Sequence, residues 1–534
     1  MRTPLLLLLC CCLHTAGRCQ DPTAQTPPPT TQAPAAANAP AAPPTIPVVE
    51  TTITAIHQAL EKKTCTCEGL VTEYLRRIAA YDKSSGLNAI ILTNPEALTI
   101  AKNLDAEYAR THQLRPLHCI PLIVKDNYNT KGLQTTAGSL TLKGFAPSTD
   151  ATLVRRLKDA GAIVLAKSNM AEWAFSAMVT ISSIAGETHN PYNLEHTTAG
   201  SSGGTAAAVA ANLGEAGLGT DTGNSIRGPS SHNSLVGFRC TIGLLSRDGI
   251  APLYLRNDMG GPMARTVEDA TRLLEVMAGY DPADPITKYS NGKIPVNYTQ
   301  YLEKKGLRGA RIGVFRTLSE RSPDPQVKVL FEKAITDLRR AGAIIVDNVI
   351  VDNFDSLSDN QWCSVFKQDI DEYLASLGAP VKNLKEVVAS GKYSAYIKDD
   401  IHDELDKGVK TDTVNHTCDD AYNDTRRIAY RNAMVAAMDK YKVDALIYPT
   451  WNNPPAIIGD FKGYKGDNSQ IIAPHTGQPA FTIPMGFTYD HLPAGLQFLG
   501  RPFAEPTLIR ITYGYEQATL HRRPPEKFPE LAAN

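Results

Sequence analysis

Three stretches of this chain repeat one step: an amphipathic helix that stops short and hands over to an apolar run. It occurs in ATLVRRLKDAGAIVLAKSN (151–169) and returns in VLFEKAITDLRRAGAIIVDNVIV (329–351) and YRNAMVAAMDKYKVDALIYPT (430–450). Apolar residues at helical spacing followed by a short β-branched run predict helix, turn and buried strand, and strands that alternate with helices pair in parallel. The step therefore predicts a layered α/β fold around a large, mostly parallel sheet. TITAIHQALEKK and CEGLVTEYLRRIAAYD read as further helices, the second capped by Thr66. LNAIILT and CIPLIVKDN read as buried strands. No fixed-period repeat and no low-complexity break follows residue 48, so residues 48–534 read as one large domain, most variable-looking over 280–440.

The N-terminus is different in kind. MRTPLLLLLCCCLHTAG has an early Arg, an apolar run from Leu5 to Leu13 and then small residues. That layout is a secretory leader, taken here as 1–19, with cleavage after Gly17 or Cys19. Residues 20–47 are rich in Pro, Thr and Ala and nearly uncharged, which predicts an extended linker. No later run reaches the length of a membrane span, so the reading is a secreted, extracellular protein (periplasmic in a bacterium) with no membrane anchor once the leader is removed. Cys10, Cys11 and Cys12 leave with the leader. Cys65, Cys67, Cys119, Cys240, Cys363 and Cys418 are too widely spread for a disulfide scaffold, although one or two bridges fit; Cys65 and Cys67 are too close to pair with each other. Sequons stand at Asn297, Asn415 and Asn423. A formal net charge of −1, with no basic run, excludes a nucleic-acid footprint.

Several motif matches fail on context. AGSSGG (199–204) satisfies G-x-S-x-G around Ser202, but a nucleophile elbow needs a buried strand before it, and NPYNLEHTT is a polar turn. GAIVLAKS has Ala166 where a phosphate loop needs glycine, and GLGTDTG misses the dinucleotide spacing. His189 and His196 have no carboxylate cluster to make a metal site. Two features survive. Lys125 closes an apolar strand, where burial would lower its pKa. GTDTGNSIRGPSS (219–231) interrupts core-like flanks with a polar, glycine-bearing turn whose backbone N–H groups could converge as an oxyanion hole.

Taken together, Lys125, GSSGG (200–204) and GTDTGNSIR (219–227) resemble the amidase signature family, with weaker echoes in LVTEYLRRIAAYD, AKSNMAEWAF and GLQFLGRPFAEPTLIRITYGYEQAT. The resemblance covers residues 50–520. It implies a mixed, mostly parallel twisted sheet covered by helices on both faces, and a Ser-Ser-Lys triad needing neither cofactor nor metal. Ser225 is implied as nucleophile, Ser201 as the bridging serine, held by a cis peptide bond, and Lys125 as base. Thr222, Gly223, Asn224 and Ser225 would supply the oxyanion hole, with Ser202, Asp221 and Arg227 supporting the loop. The expected reaction is hydrolysis of a small or peptide-like amide through an acyl-enzyme, in a pocket lined from segments such as 126–130, 170–180 and 440–480. The alternatives are an esterase or carbamate hydrolase with the same triad, or a noncatalytic relative; oligomeric state stays open, a homodimer included. Two positions depart from the family pattern. Asn224 replaces a glycine, where it keeps the donor N–H, its tolerance of positive φ is the expected accommodation, and its side chain is expected to shape the pocket. Thr198–Ala199 replaces Pro-Gly or Gly-Gly.

Overall fold

Each of the three helix-to-strand steps delivers a parallel strand. In the computed structural model, which describes residues 43–407, 418–461 and 464–532, the helix Thr152–Asp159 leads into Ile163–Ser168, Pro325–Arg340 into Ile344–Val346, and Thr425–Lys440 into Ala445–Pro449. The turn glycine of the first step, Gly161, sits at φ +95°, and a Cβ there would stand 2.9 Å from the His118 Cα, so backbone and space both demand glycine.

Eleven strands form the main sheet: β1 (Ile90–Thr93), β2 (Pro121–Lys125), β3 (Ile163–Ser168), β4 (Ala216–Thr220), β5 (Val236–Arg239), β6 (Gly260–Ala264), β7 (Arg311–Val314), β8 (Ile344–Val346), β9 (Ala445–Pro449), β10 (Ala480–Thr488) and β11 (Leu492–Leu499). Their spatial order is β1-β3-β2-β4-β6-β5-β10-β11-β9-β7-β8. Every residue of β2, β3, β4, β6, β9 and β11 is buried. Since successive side chains point to opposite faces, full burial means that both faces are covered.

The sheet is mixed, as the family resemblance implies, but its parallel share is smaller than expected. Parallel pairing is confined to β2 with β3 and β4, and to β7 with β8 and β9. The other six junctions are antiparallel. The physical reason is connectivity. β10 and β11 form a hairpin turning at Tyr489 and Asp490, both at positive φ, and such a turn needs no crossover helix to announce it.

Residues from Pro43 onward form one compact unit. The leader, the linker up to residue 42 and the sequon at Asn415 lie outside the described residues. Thr66 caps the helix Cys67–Tyr81 as expected, its hydroxyl accepting from the Gly69 N–H at 3.0 Å. Disulfides join Cys67 to Cys119 and Cys363 to Cys418, while Cys65 and Cys240 are free and buried. Among the described residues no helix is long and apolar enough to cross a membrane.

For the site, one junction matters most. Strands β2 and β4 are parallel neighbours, with Val124 beside Leu218, so Lys125 and Thr220 emerge together at their carboxyl ends. Parallel sheets characteristically place ligand sites just beyond such ends.

Candidate active site

Lys125 is fully buried, and its hydrogen bonds go to hydroxyls rather than to a carboxylate. Nζ donates to Ser201 Oγ and to Thr220 Oγ1, both at 2.7 Å, and the Asn127 amide donates to the same Thr220 oxygen at 3.1 Å. Burial pulls the lysine down from its ordinary value to about 7; the fields of Asp258 and Asp221 only partly oppose this. Near neutral pH the amine therefore has a free lone pair available to accept a proton.

Ser201 follows a cis peptide bond from Gly200. A Cβ on Gly200 would stand 2.3 Å from the Val179 carbonyl oxygen and 2.4 Å from that of Ser176, so the chain can pass here only as glycine. Ala199, one residue earlier, carries φ +59°, the left-handed region in which glycine is unstrained. Ser202 is tied to the end of β4: its Oγ donates to the Thr220 carbonyl at 3.1 Å and lies 3.3 Å from the Thr220 N–H, which donates to it.

Ser225 is buried in the turn between β4 and the helix Arg227–His232. Its Oγ donates to Asn224 Oδ1 at 3.3 Å, and the Asn224 amide donates to the Ala177 carbonyl at 3.2 Å. The structure thus brings Lys125 onto Ser201 directly and places Asn224 as the hydrogen-bond partner of Ser225. Asn224 does not use the positive φ expected of it; its backbone lies outside the left-handed region and its side chain does the distinctive work.

The loop itself is organised for donors. Among the described residues, the backbone N–H groups of Thr222, Gly223, Asn224 and Ser225 donate to no protein acceptor, whereas those of Ile226 and Arg227 turn back to Asp221 Oδ2 at 3.2 and 3.4 Å. Buried N–H groups without a partner are rare and costly, so four in sequence mark a place where an external acceptor fits.

What shapes this turn is a buried ion cluster. Arg227 forks onto Asp221 with Nε at 3.0 Å and Nη2 at 3.1 Å, and Arg239 Nη1 reaches Asp221 Oδ1 at 2.8 Å. Burial by itself would raise the Asp221 carboxyl; the two guanidiniums overcome it and hold the group well below the usual carboxylate range. Arg227 also donates to the Gly223 carbonyl at 2.7 Å, which turns that peptide's N–H side away from the arginine. Thr222 is anchored separately, its hydroxyl donating to Asp258 at 2.5 Å.

Sequence reasoning missed Thr220, Asn127, Arg239 and Asp258. Arg239 had a readable signal: it closes the apolar run LVGFR just as Lys125 closes PLIVK. Asp258 had none, because it reaches the loop from a distant, irregular segment. His189 and His196 stay apart from the site, His189 Nδ1 lying 2.6 Å from the Leu194 carbonyl. Cys67, His118 and Cys119 form the one group of metal-ligand type among the described residues, and both of its sulfurs are committed to the disulfide.

Beside the loop opens a cleft of about 380 Å3 walled by Met178, Trp362, Trp451, Tyr464, Gln470 and Ile471. A Cβ added to Gly223 would meet Trp362 Cη2 at 2.9 Å and Gln470 Oε1 at 3.1 Å, so the cleft adjoins the turn at 222–225. Of the expected segments, 170–180 and 440–480 contribute to it and 126–130 does not; Trp362 comes from outside them.

A family model described as Amidase matches residues 69–509. The chain belongs to the amidase family. This amidase is 35% identical over 501 residues to a probable amidase of Arabidopsis thaliana, covering 90% of this chain and 92% of the relative. Its fold is similar to that of the native peptide amidase from Stenotrophomonas maltophilia, with a TM-score of 0.80 and 37% identity over 90% of this chain and 99% of the other. It is also 33% identical to a glutamyl-tRNA(Gln) amidotransferase component of Moorella thermoacetica, over 88% of this chain and 96% of the relative. Family and neighbours together make it an amide-hydrolysing enzyme of the amidase signature type.

Proposed function

We propose that this amidase is a secreted serine hydrolase of peptide-like amides, acting through an acyl-enzyme on Ser225. The observation that carries the reading is the pairing of a neutralisable lysine, bonded to Ser201, with a turn offering four unused N–H donors around Ser225. In the forward step neutral Lys125 takes the Ser201 proton as Ser201 takes that of Ser225. For this the Ser225 hydroxyl leaves Asn224 Oδ1 and turns to Ser201. Its oxygen then bonds to the amide carbon, and the carbonyl oxygen becomes an oxyanion received by the N–H groups of 222–225. The relay runs backward to protonate the departing nitrogen as the C–N bond breaks, leaving an ester on Ser225. Water, deprotonated by the same relay, cleaves that ester and restores the serine.

Two disulfides among the described residues support an oxidising compartment and so the secreted reading, as does the exposed sequon asparagine Asn423. They weigh against a role like that of the glutamyl-tRNA(Gln) amidotransferase relatives. A panel of peptide amides, anilides, esters and carbamates tests the reaction class. The expected result is conversion of peptide amides to acid and ammonia by the wild type and none by Ser225→Ala. Cleavage of esters or carbamates with peptide amides left intact would replace the amidase reading by the esterase one.

A further inference from the structure

The segment Ala251–Met259 is fastened at one end beside the base and at the other to the turn that carries Ser225. Ala251 exchanges hydrogen bonds with Asn127, just beyond Lys125: its N–H donates to the Asn127 carbonyl at 2.8 Å, and the Asn127 side-chain amide donates to the Ala251 carbonyl at 3.4 Å. Met259 exchanges backbone hydrogen bonds with Asp221, at 2.8 and 3.2 Å. Between these ties stands Asp258, which is buried. Its carboxylate collects three donors: the Thr222 hydroxyl at 2.5 Å and the Tyr254 N–H at 3.3 Å on Oδ1, and the Leu253 N–H at 2.8 Å on Oδ2. Burial pushes this carboxyl up, while the three donors and the field of Arg247 favour its ionised form. The neighbouring guanidiniums are engaged elsewhere, Arg227 and Arg239 on Asp221 and Arg247 on Asp284 at 2.6 Å.

Only a thin polar partition separates Asp258 from the base. Asp258 shares a cavity of about 10 Å3 with Asn127, Thr220, Thr222 and Arg247, and the Thr220 hydroxyl is the one that accepts from both Lys125 and Asn127. Two donors on that oxygen make it an acceptor toward the lysine, which leaves the lone pair of the neutral amine to Ser201. Of the carboxylates whose fields reach Lys125, Asp258 acts most strongly, ahead of Asp221, whose charge is already matched by two arginines. Asp126, next in the chain, turns instead to the Thr136 and Gly138 N–H groups and faces Lys167.

We propose that Asp258 is a positioning residue for the base: anchored to Thr222 of the turn, its carboxylate steadies the ammonium that Lys125 becomes when it takes the Ser201 proton. The inference rests on Lys125 acting as base. The proton stays on Lys125 Nζ throughout, and Asp258 neither gives nor takes one.

Asp258→Asn tests this, because it removes the charge and keeps an oxygen for the Thr222 hydroxyl. Without the carboxylate the ammonium is less favoured. The acid limb of the wild-type profile of kcat/KM against pH should therefore move to lower pH by about one pH unit or more, the effect of losing one nearby opposite charge. The plateau above the limb should fall several-fold, since a weaker base draws the Ser201 proton less. Asp258→Ser, which loses the charge by a different route, should move the limb the same way. Combined with Lys125→Met, Asp258→Asn should cost no further activity, because its effect passes through the lysine. A limb that stays in place in both Asp258 variants, or an equal loss of activity from Asp258→Asn with and without Lys125, would overturn the assignment and leave Lys125 as base. A wild-type profile with no acid limb would instead overturn the reading of Lys125 on which the assignment rests.

Discussion

Replacing Lys125 by methionine should lower kcat/KM for a peptide amide by about 10²–10⁴-fold, the range for loss of a positioned general base. It should do so without lowering the melting temperature. The two effects separate because the lysine is costly to the fold. Burial lowers its value to about 7, so below that pH the native state must hold a desolvated cation, and between about 7 and its ordinary value the unfolded chain binds a proton that the native state does not. Wild-type stability contributed by this group thus rises with pH across that window, and a methionine removes the penalty where it is largest, at neutral pH and below. Catalysis has the opposite dependence on the residue. Wild-type activity should climb with pH through about 7 as the amine loses its proton, and the residual activity of Lys125→Met should lack that limb. Activity assays from about pH 5 to 9, spanning the folded value on both sides, check this beside thermal melts of both proteins. A flat wild-type profile would contradict the assignment of Lys125 as base.

The second large effect concerns the ion cluster under the turn. Asp221→Ala should cost about 3–5 kcal/mol of stability at neutral pH, because it leaves Arg227 and Arg239, both fully buried, without their carboxylate. The sign with pH is fixed by the direction of its shift. A carboxyl held below its ordinary value stabilises the fold above that value and loses the contribution as pH falls through the lower, folded one. The gap between variant and wild type should therefore be full at neutral pH and narrow in strong acid. Activity should fall too, since the Ile226 and Arg227 N–H groups lose the acceptor that shapes the turn. Urea unfolding at neutral pH and in acid measures the difference; equal stability of the two proteins at neutral pH would contradict this account of the loop.

Why these parts of the molecule were legible in the sequence, and others not, follows from how far each signal reaches along the chain. Helix-to-strand steps are written locally, so β3, β8 and β9 could be read as strands, whereas β7, the parallel partner of β8 and β9, follows no such step and was not read. The β10–β11 hairpin carries no such mark, since its connection, Tyr489-Asp490-His491, holds neither the glycine nor the asparagine usual in such turns. At the site, Lys125, Ser201 and Ser225 came from contiguous motifs, and the structure sets the first two in direct contact. Asn224 was visible as a departure whose side chain would shape the pocket; the positive φ it could have tolerated is not used, and its amide is what touches Ser225. Gln470 falls in the segment 440–480 expected to line the pocket, whereas Trp362 was out of reach, because only the fold brings so distant a residue to the side of Gly223.

The central claim is that Ser225 is the nucleophile, and a serine-directed fluorophosphonate with mass mapping of the adduct tests it most directly. The account predicts one modified residue, Ser225, in the wild-type protein at mildly alkaline pH, and loss of labelling in Lys125→Met at neutral pH. An adduct on Ser202, or undiminished labelling of Ser225→Ala, would contradict it.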